Sequence, residues 1–491
     1  LLNLAEELGN VSKACKVMGL KPIVSVSDYK LFSAMLTPYI LYQILQQHSP
    51  LSSYWVAYSG GLDSHVLLHA LVKLRADHPM FNLQAIHVHH GLSSHADTWA
   101  VHCQQICDDL DVKLTIHHID SKSYNEQGST EEIARHYRYQ FFSDSLPEGE
   151  CLLTAHHRND QAETVLFRLL RGSGLNGLSA MASQRPLGKG LLLRPLLTIS
   201  RADLEVYANH EKLHWIEDES NLHTYIDRNY LRHCIFPLLT VRWPRAAEAL
   251  SRTATHAQEA NQLLEEMACE DIQKVRGAVE NTLSLSALKK YHHPRQKNII
   301  RFWLKNRGFS LPSTKKLNQL LHDCLDAKED AMPLLTWEGV EVRCFDGDLY
   351  AIPPLSPHDA KAVIPWDMQA LLLLENIGWM RATEVSDSSA FNTNTIDLPQ
   401  DKKITVRFRQ GGEIVHPAGR VGSHPLKKLF QEWGVPPWMR DRIPLLYCDN
   451  ELAMVVGYAV AGKYTGTSHR RGRAVMLEFF PGLIGLTRDT Q

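Results

Sequence analysis

The chain has no CxxC pair. Its nine cysteines are odd in number and scattered, and only Cys103 and Cys107 stand close, at i,i+4 spacing in an apolar helical pattern. Reduced thiols of a cytoplasmic protein fit this usage better than disulfides, a zinc site or a cluster. No apolar run reaches the roughly 18 residues that span a bilayer. The first residues, Leu1-Leu2-Asn3-Leu4-Ala5-Glu6-Glu7, carry acid where a secretory leader carries base. Neither charge is in excess: 52 Lys and Arg against 54 Asp and Glu leave −2. A polyanionic partner would therefore have to be met by local patches. The 26 histidines show no repeated metal-ligand spacing, and there is no internal repeat or long low-complexity tract. What remains is an ordinary globular composition, 44% hydrophobic and 22% charged, over 491 residues. That length suggests roughly two to four domains.

From Tyr54 to about Leu213, short apolar runs alternate with helical patterns. Strands are expected at Trp55 to Tyr58, Leu83 to His89, Lys113 to Ile119 and Cys151 to Ala155. Helices are expected at Ser64 to Arg75, Ala96 to Leu110, Thr130 to Ser145, Asp160 to Arg171 and Ala202 to Glu211. Such alternation implies a parallel sheet with helices on both faces. Helical periodicity continues over Arg245 to Val275, Ala287 to Arg307 and Thr314 to Cys324. Pro353-Pro354-Leu355-Ser356-Pro357 reads as a linker. Beyond Ile404 short strands surround one helix, His424 to Trp433. Ahead of all this, residues 4–20 read as helix, turn, helix. They resemble the start of insertion-sequence transposases, either as a DNA-binding segment or as an upstream extension with Met35 the ancestral start.

The sharpest chemical signal is Ser59-Gly60-Gly61-Leu62-Asp63-Ser64, at the end of the first strand and the opening of a helix. A phosphate cradle needs inward backbone amides, residues without Cβ where the chain bends, and a helix N-terminus behind them. Gly60 and Gly61 permit the bend, Ser59 and Ser64 add hydroxyls, and Asp63 can hold Mg²⁺. The lysine of a Walker A loop and the third glycine of a dinucleotide fingerprint are both missing. The segment resembles the SGGxDS loop of the N-type ATP pyrophosphatases, which implies cleavage of ATP between the α- and β-phosphates and an adenylated acceptor.

Three further segments place polar groups at strand ends, where open α/β sheets bind ligands. They are Ala85 to Ser93, Thr154 to Thr164, and Ile216 to Asn221 followed by Asp227 to Arg232. With Arg171-Gly172-Ser173-Gly174 and Lys427 to Trp438, they resemble the bacterial tRNA(Ile)-lysidine synthases, from about Met35 to near the C-terminus. The resemblance implies a PP-loop ATPase (adenine nucleotide α-hydrolase-like) α/β domain at 35–245. A mainly helical tRNA-binding domain at 246–352, a linker region at 353–400 and a small α+β tRNA-binding domain at 401–491 would follow, with 1–34 outside the ancestral enzyme. It implies ATP as co-substrate, Mg²⁺, free L-lysine and the isoleucine tRNA with a CAU anticodon as partners, a cytoplasmic location and no membrane. It leaves a homodimer open.

The resemblance carries roles onto single residues. Ser59, Gly60, Gly61, Leu62, Asp63 and Ser64 would hold ATP. Asp160, just past a strand end, would position metal or the lysine amine, or deprotonate that amine, and reads equally as a helix N-cap. Glu163 is one turn on and shares its face. His90 would donate to phosphate or base, or serve a structural contact. Glu131, Arg135 and Arg138 share one helix face, and Arg228 and Arg232 another. Their forked donors suit triphosphate, transition state or tRNA phosphate, and suit salt-bridge ladders equally. Lys427 and Lys428, with Lys402, Lys403, Arg407 and Arg409 around Trp433 and Trp438, suit an RNA-docking surface. The family often has an acid where Asn159 stands. A tRNA thiolase of the same superfamily is the rival reading, and the missing CxxC pairs weigh against it. A DNA-binding regulator built on residues 4–20 would leave the Ser59–Ser64 loop without a purpose.

Overall fold

The computed structural model describes residues 36–48, 53–78, 81–91, 93–119, 130–325, 332–385, 394–399, 401–465 and 472–481. The helix-turn-helix reading of 4–20 and the whole 1–34 extension lie outside them. The chain divides into two compact units, Leu1–Leu263 and Leu264–Gln491.

The first unit is built on a six-stranded sheet, order β3-β2-β1-β4-β6-β5. Its strands are β1 Ser53–Ala57, β2 Asn82–His89, β3 Lys113–His118, β4 Cys151–Leu153, β5 Gln184–Leu187 and β6 Gly190–Leu193. All neighbours pair in parallel except β5, which returns antiparallel to β6. Side chains alternate between two cores, as the period of two demands. Tyr54 and Val56 of β1 and Cys151 and Leu153 of β4 enter one core, while Leu152 enters the other. Over the first core lie helices α1 Pro38–His48, α2 Leu62–Asp77, α3 Ala96–Asp109 and α6 Arg201–His210, supplying Leu41, Leu67, Cys103 and Leu204. Over the second lies α4 Thr130–Ser145, through Phe142. Helix α5, Arg158–Leu170, follows β4. The β5–β6 hairpin was hidden in the sequence by Pro186 and two glycines. Pro186 is tolerated there because β5 is an edge strand. Gly188 has φ +56, and a Cβ on it would lie 2.3 Å from the Ser143 carbonyl oxygen.

The second unit holds two separate cores. The helices expected between 245 and 324 are present: α7 Ala246–Lys274, which begins in the first unit, α8 His293–Asn306 and α9 Thr314–Leu325. They do not stand alone. Ile299, Trp303 and Leu320 pack on Val340, Val342 and Leu349 of a four-stranded sheet, order β7-β10-β9-β8. Its strands are β7 Leu283–Ser284, β8 Leu334–Trp337, β9 Val340–Phe345 and β10 Asp348–Ile352. Asp346-Gly347, both with positive φ, close the two-residue hairpin between β9 and β10, a strong local signal. Residues 353–400, read from sequence as a linker, carry four strands. These are β11 Val363–Pro365, β12 Leu372–Leu374, β13 Gly378–Glu384 and β14 Thr395–Pro399. β13 and β14 both pair with the strand Gly472–Pro481. No helix among the described residues is long and apolar enough to cross a membrane, and all eight described cysteines are free thiols.

Candidate active site at the switch point of the sheet

The chain starts its sheet in the middle, builds outward through β2 and β3, then returns to the other side of β1 with β4. The connections after β1 and β4 therefore leave in opposite directions and part to form a crevice at their C-terminal ends. Both sequence motifs with the most chemistry, Ser59–Ser64 and His156–Glu163, fall on these two strand ends.

The first loop is closed by its own hydroxyls. Ser64 Oγ donates to the Gly61 carbonyl (3.0 Å) and accepts from the Ser59 amide (3.2 Å). The two serine hydroxyls are 3.0 Å apart, and Ser59 Oγ accepts from the Gly61 amide. The serines thus brace the loop rather than point free donors outward. The two glycines are not equivalent. Gly60 has φ +84, and a Cβ there would lie 2.9 Å from Cys103 Sγ and from Ile216 Cδ1. Gly61 is extended (φ −75, ψ 163), with ordinary room around it. Only Gly60 is demanded by the bend. Ile216 adds a backbone clasp, its amide donating to the Gly60 carbonyl at 3.0 Å, so the Ile216–Asn221 segment shapes the loop. The first amides of α2 have no carbonyl of their own helix to bond, and they carry its positive end. A Gly60→Ala chain is expected to be destabilised by about 2 kcal/mol from positive φ and crowding. Denaturant unfolding checks it, and an unmoved midpoint would refute the packing.

Behind the loop is a network of three carboxylates and three guanidiniums. Arg201, at the first position of α6, donates from Nη1 to both oxygens of Asp63 at 2.7 Å. His157 Nε2 lies 3.6 Å from Asp63 and 3.5 Å from Asp160. His157 is the N-cap of α5, and Asp160 is its third residue. The Asp160 amide donates to His157 Nδ1 and the His157 amide donates to Asp160 Oδ2, a reciprocal capping box. The N-cap expected at Asp160 is therefore His157. That bond leaves Nδ1 as acceptor, so the ring proton sits on Nε2 between the two aspartates. Arg232 donates to Glu163 at 2.8 and 2.9 Å and to Asp160 at 3.0 Å. Arg228 bridges the same two acids at 3.2 and 3.4 Å. Spacing put Asp160 with Glu163 and Arg228 with Arg232 on shared faces; the fold sets the two pairs against each other, and the arginines turn inward onto the acids rather than outward to phosphate.

The environment separates the two aspartates. Burial pushes the Asp63 carboxyl above its ordinary value and outweighs the pull of His157 and Arg201. Burial also pushes on Asp160, but His157, Arg228 and His156 together hold it below its ordinary value. Asn159 bonds elsewhere. Its Oδ1 accepts from the Arg201 amide at 3.1 Å, tying the start of α6 to the start of α5 and holding Arg201 over Asp63. Arg201, His157 and this role of Asn159 were missed in sequence. The pattern Ser200-Arg201-Ala202-Asp203, which forms a second capping box, was the available signal for a helix start at the crevice.

His90 is brought to Arg138. Burial first, then the Arg138 charge, pulls its pKa down to about 3, so the ring is neutral at working pH. His87 donates from Nδ1 to the Tyr58 carbonyl at 2.9 Å, and His89 pairs with Asp97. No group of three or more His, Cys, Asp or Glu among the described residues could hold a metal by itself. Arg135 is not at the carboxylates; its guanidinium lies 4.9 Å from the Tyr139 ring centre. The Glu131 side chain is outside the described residues.

In the second unit Lys427 and Lys428 are exposed on the helix Leu426–Glu432, whose other face buries Leu426, Leu429 and Phe430. Lys402 and Arg409 are paired with Asp449 and Asp441, and Arg407 lies on Tyr447. The tryptophans are half-buried. Trp433 stacks on Tyr458, and Trp438 meets Tyr350 and Arg343.

A parallel sheet with a bent Ser-Gly-Gly loop at its first strand–helix junction, facing acids from the strand across the switch point, defines a PP-loop domain. The PP-loop domain model matches residues 37–239. The TilS substrate binding domain model matches 283–350, and the TilS substrate C-terminal domain model 404–476. The tRNA(Ile)-lysidine synthase of Coxiella burnetii is 44% identical over 425 residues, covering 86% of this chain and 93% of that protein. The enzyme of the same name from Legionella pneumophila is 41% identical, covering 84% and 93%. That from Methylococcus capsulatus is 39% identical, covering 86% and 95%. The chain belongs to the tRNA(Ile)-lysidine synthase family.

Proposed function

We propose that this carbon–nitrogen ligase joins L-lysine to C2 of the wobble cytidine of the isoleucine tRNA with a CAU anticodon, converting ATP to AMP and pyrophosphate. The observation that carries the reading is the Asp63–His157–Asp160 bridge across the switch point. It sets a phosphate-cradling loop against a carboxylate pair that suits an ammonium or amine.

In the first step the cytidine O2 attacks the α-phosphorus and pyrophosphate leaves. Negative charge grows on the leaving oxygens, facing the amides at the start of α2. Preorganised donors aimed at such charge are the largest usual source of acceleration. In the second step the lysine Nε forms its bond to C2, AMP departs with the former O2, and the amine gives up its proton. Ser59 to Ser64 hold the nucleotide, Asp160 and Glu163 orient the lysine, and His157 and Arg228 keep Asp160 ionised. His90, neutral, donates to phosphate or base. A carboxylate held below its ordinary pKa is a poor base toward an ammonium of reference pKa about 10.4. Asp160 therefore positions the amine rather than deprotonating it.

Mg²⁺ suits this site as a companion of the nucleotide. The ion usually takes one or two carboxylates together with substrate phosphates, and Asp63, 28% exposed at its side chain, supplies one. When bound it neutralises phosphate charge. Lys427 and Lys428 face the tRNA from the C-terminal region.

The test is incubation of the full chain with ATP, Mg²⁺, labelled lysine and unmodified minor isoleucine tRNA. Label is expected in the tRNA and absent from a transcript with uridine at the wobble position. No incorporation into either overturns the reading.

A further inference from the structure

One strand beyond the carboxylates, a cavity of about 830 Å³ lies between α4, the β5–β6 hairpin and residues 180–182. That is within the size range of small-ligand sites. Four guanidiniums line it, from Arg135, Arg168, Arg185 and Arg194, and no Asp or Glu does. None of the four makes an ion pair among the described residues, unlike Arg201, Arg228 and Arg232 nearby. Instead they are fixed by carbonyls and a ring. Arg168 donates to the carbonyls of Gly177 and Ala180 at 2.9 and 3.0 Å, and Arg194 to that of Ala182 at 2.7 Å. Arg135 and Arg185 lie 4.9 and 5.1 Å from the centre of the Tyr139 ring. Arg194 is only 5% exposed; its guanidinium meets Tyr139, and its Nε has no hydrogen-bond partner among the described residues. Burying like charges without counter-charges costs stability. The fold tolerates it here while holding every fork in place, as a preformed anion site requires.

We propose that this cavity takes the sugar-phosphate backbone of the RNA strand beside the reacting cytidine, a reading that rests on the tRNA function above. Position decides between RNA and nucleotide phosphates. The nucleotide loop follows β1, the acids follow β4, and Arg194 follows β6, the next strand outward. Burial lowers the His156 pKa, Asp160 opposes it, and Arg194, Arg228 and Arg135 add to it, so both sets act on this ring. Arg194 thus follows a strand one step further from the nucleotide loop than the strand that carries the acids. Forked donors around an aromatic ring suit successive phosphodiesters better than a single compact anion.

The experiment uses the full chain and measures binding of the isoleucine tRNA between about 50 and 200 mM salt, where lost phosphate contacts show as slope. Arg135→Gln and Arg185→Gln, both at the accessible rim, are each expected to reduce the slope of log K against log salt by about 1. The KM for tRNA should rise roughly tenfold in the double variant at moderate salt, with KM for ATP and lysine unmoved. Arg185→Lys should restore most of the slope, which a merely structural role would not do. An unchanged slope in both glutamine variants overturns the proposal. So does weakened pyrophosphate inhibition or a raised KM for ATP, which would assign the cavity to the nucleotide. Lysine transfer by the unaltered chain, run alongside, separates failure of this site from failure of the function itself.

Discussion

Asp63→Asn is expected to abolish ATP–pyrophosphate exchange and lysine transfer together, while leaving the fold at least as stable as before. Asp63 is where the loop meets the network. Arg201 grips both its oxygens and His157 faces it. An amide keeps the shape but loses the charge that holds Arg201 square and that the proposed Mg²⁺ would meet. A loss of about 10² to 10³ in exchange rate is the scale for removing one preorganised electrostatic group. Stability should move the other way. Burial raises this carboxyl above its unfolded value. Its favourable contribution is therefore complete below the unfolded pKa of about 3.9 and is lost as pH rises through the folded value. At neutral pH the ionised group is a burden that asparagine relieves. Thermal melting at pH 7 with an exchange assay is the check. Robust exchange in the variant, or a collapse of the fold, would remove Asp63 from the role given to it.

Asp160→Asn separates the two half-reactions. Asparagine keeps an oxygen for the His157 amide, so the capping box survives while the charge goes. Lysine transfer is expected to fall far more than ATP–pyrophosphate exchange, with the KM for lysine raised and the shape of the pH profile retained. Had Asp160 been the base, the profile would lose a limb. Equal loss of both half-reactions would count against a role toward lysine. The stability change has the opposite sign to that of Asp63. This carboxyl is held below its ordinary value, so its contribution is present above the unfolded pKa and fades as pH falls through the folded one. Removing the charge should cost about 1–3 kcal/mol at pH 7. That is less than a fully buried pair would lose, because Arg228 and Arg232 are about a third exposed and keep Glu163 as partner. The difference from wild type should shrink in acid.

Much of the catalytic unit was legible along the chain. The boundaries of α3 and α4 fall within a residue or so of their periodic patterns, and the strand ends carrying Ser59 and His156 stand where apolar runs gave way to polar clusters. Where reading failed, the information was not local. β13 is recognisable as a strand only beside the strand Gly472–Pro481, with Trp379 opposite Phe480, because its own alternation is weak. The β9–β10 hairpin, by contrast, had a local signal in Asp346-Gly347, both of positive φ. Trp433 and Trp438, read from sequence as part of an RNA-docking surface, are half-buried, one stacked on Tyr458 and the other against Tyr350.

By itself the sequence determined the chemistry on offer. The Ser-Gly-Gly bend, the acids one helical turn apart at 160 and 163, and the arginines four apart at 228 and 232 are local patterns. Helix and strand periods convert such patterns directly into shared faces. Only the tertiary structure decided who answers whom. It set Arg201 on Asp63, turned Asn159 into the tie between two helix starts, and spent Arg228 and Arg232 on carboxylates. It also gathered Arg135, Arg168, Arg185 and Arg194, spread over α4, α5, β5 and the end of β6, around one unneutralised cavity. The physical reason is the switch in strand order between β1 and β4. Neighbours at the crevice come from segments far apart in the chain, and charge pairing is settled by which of them the sheet sets side by side.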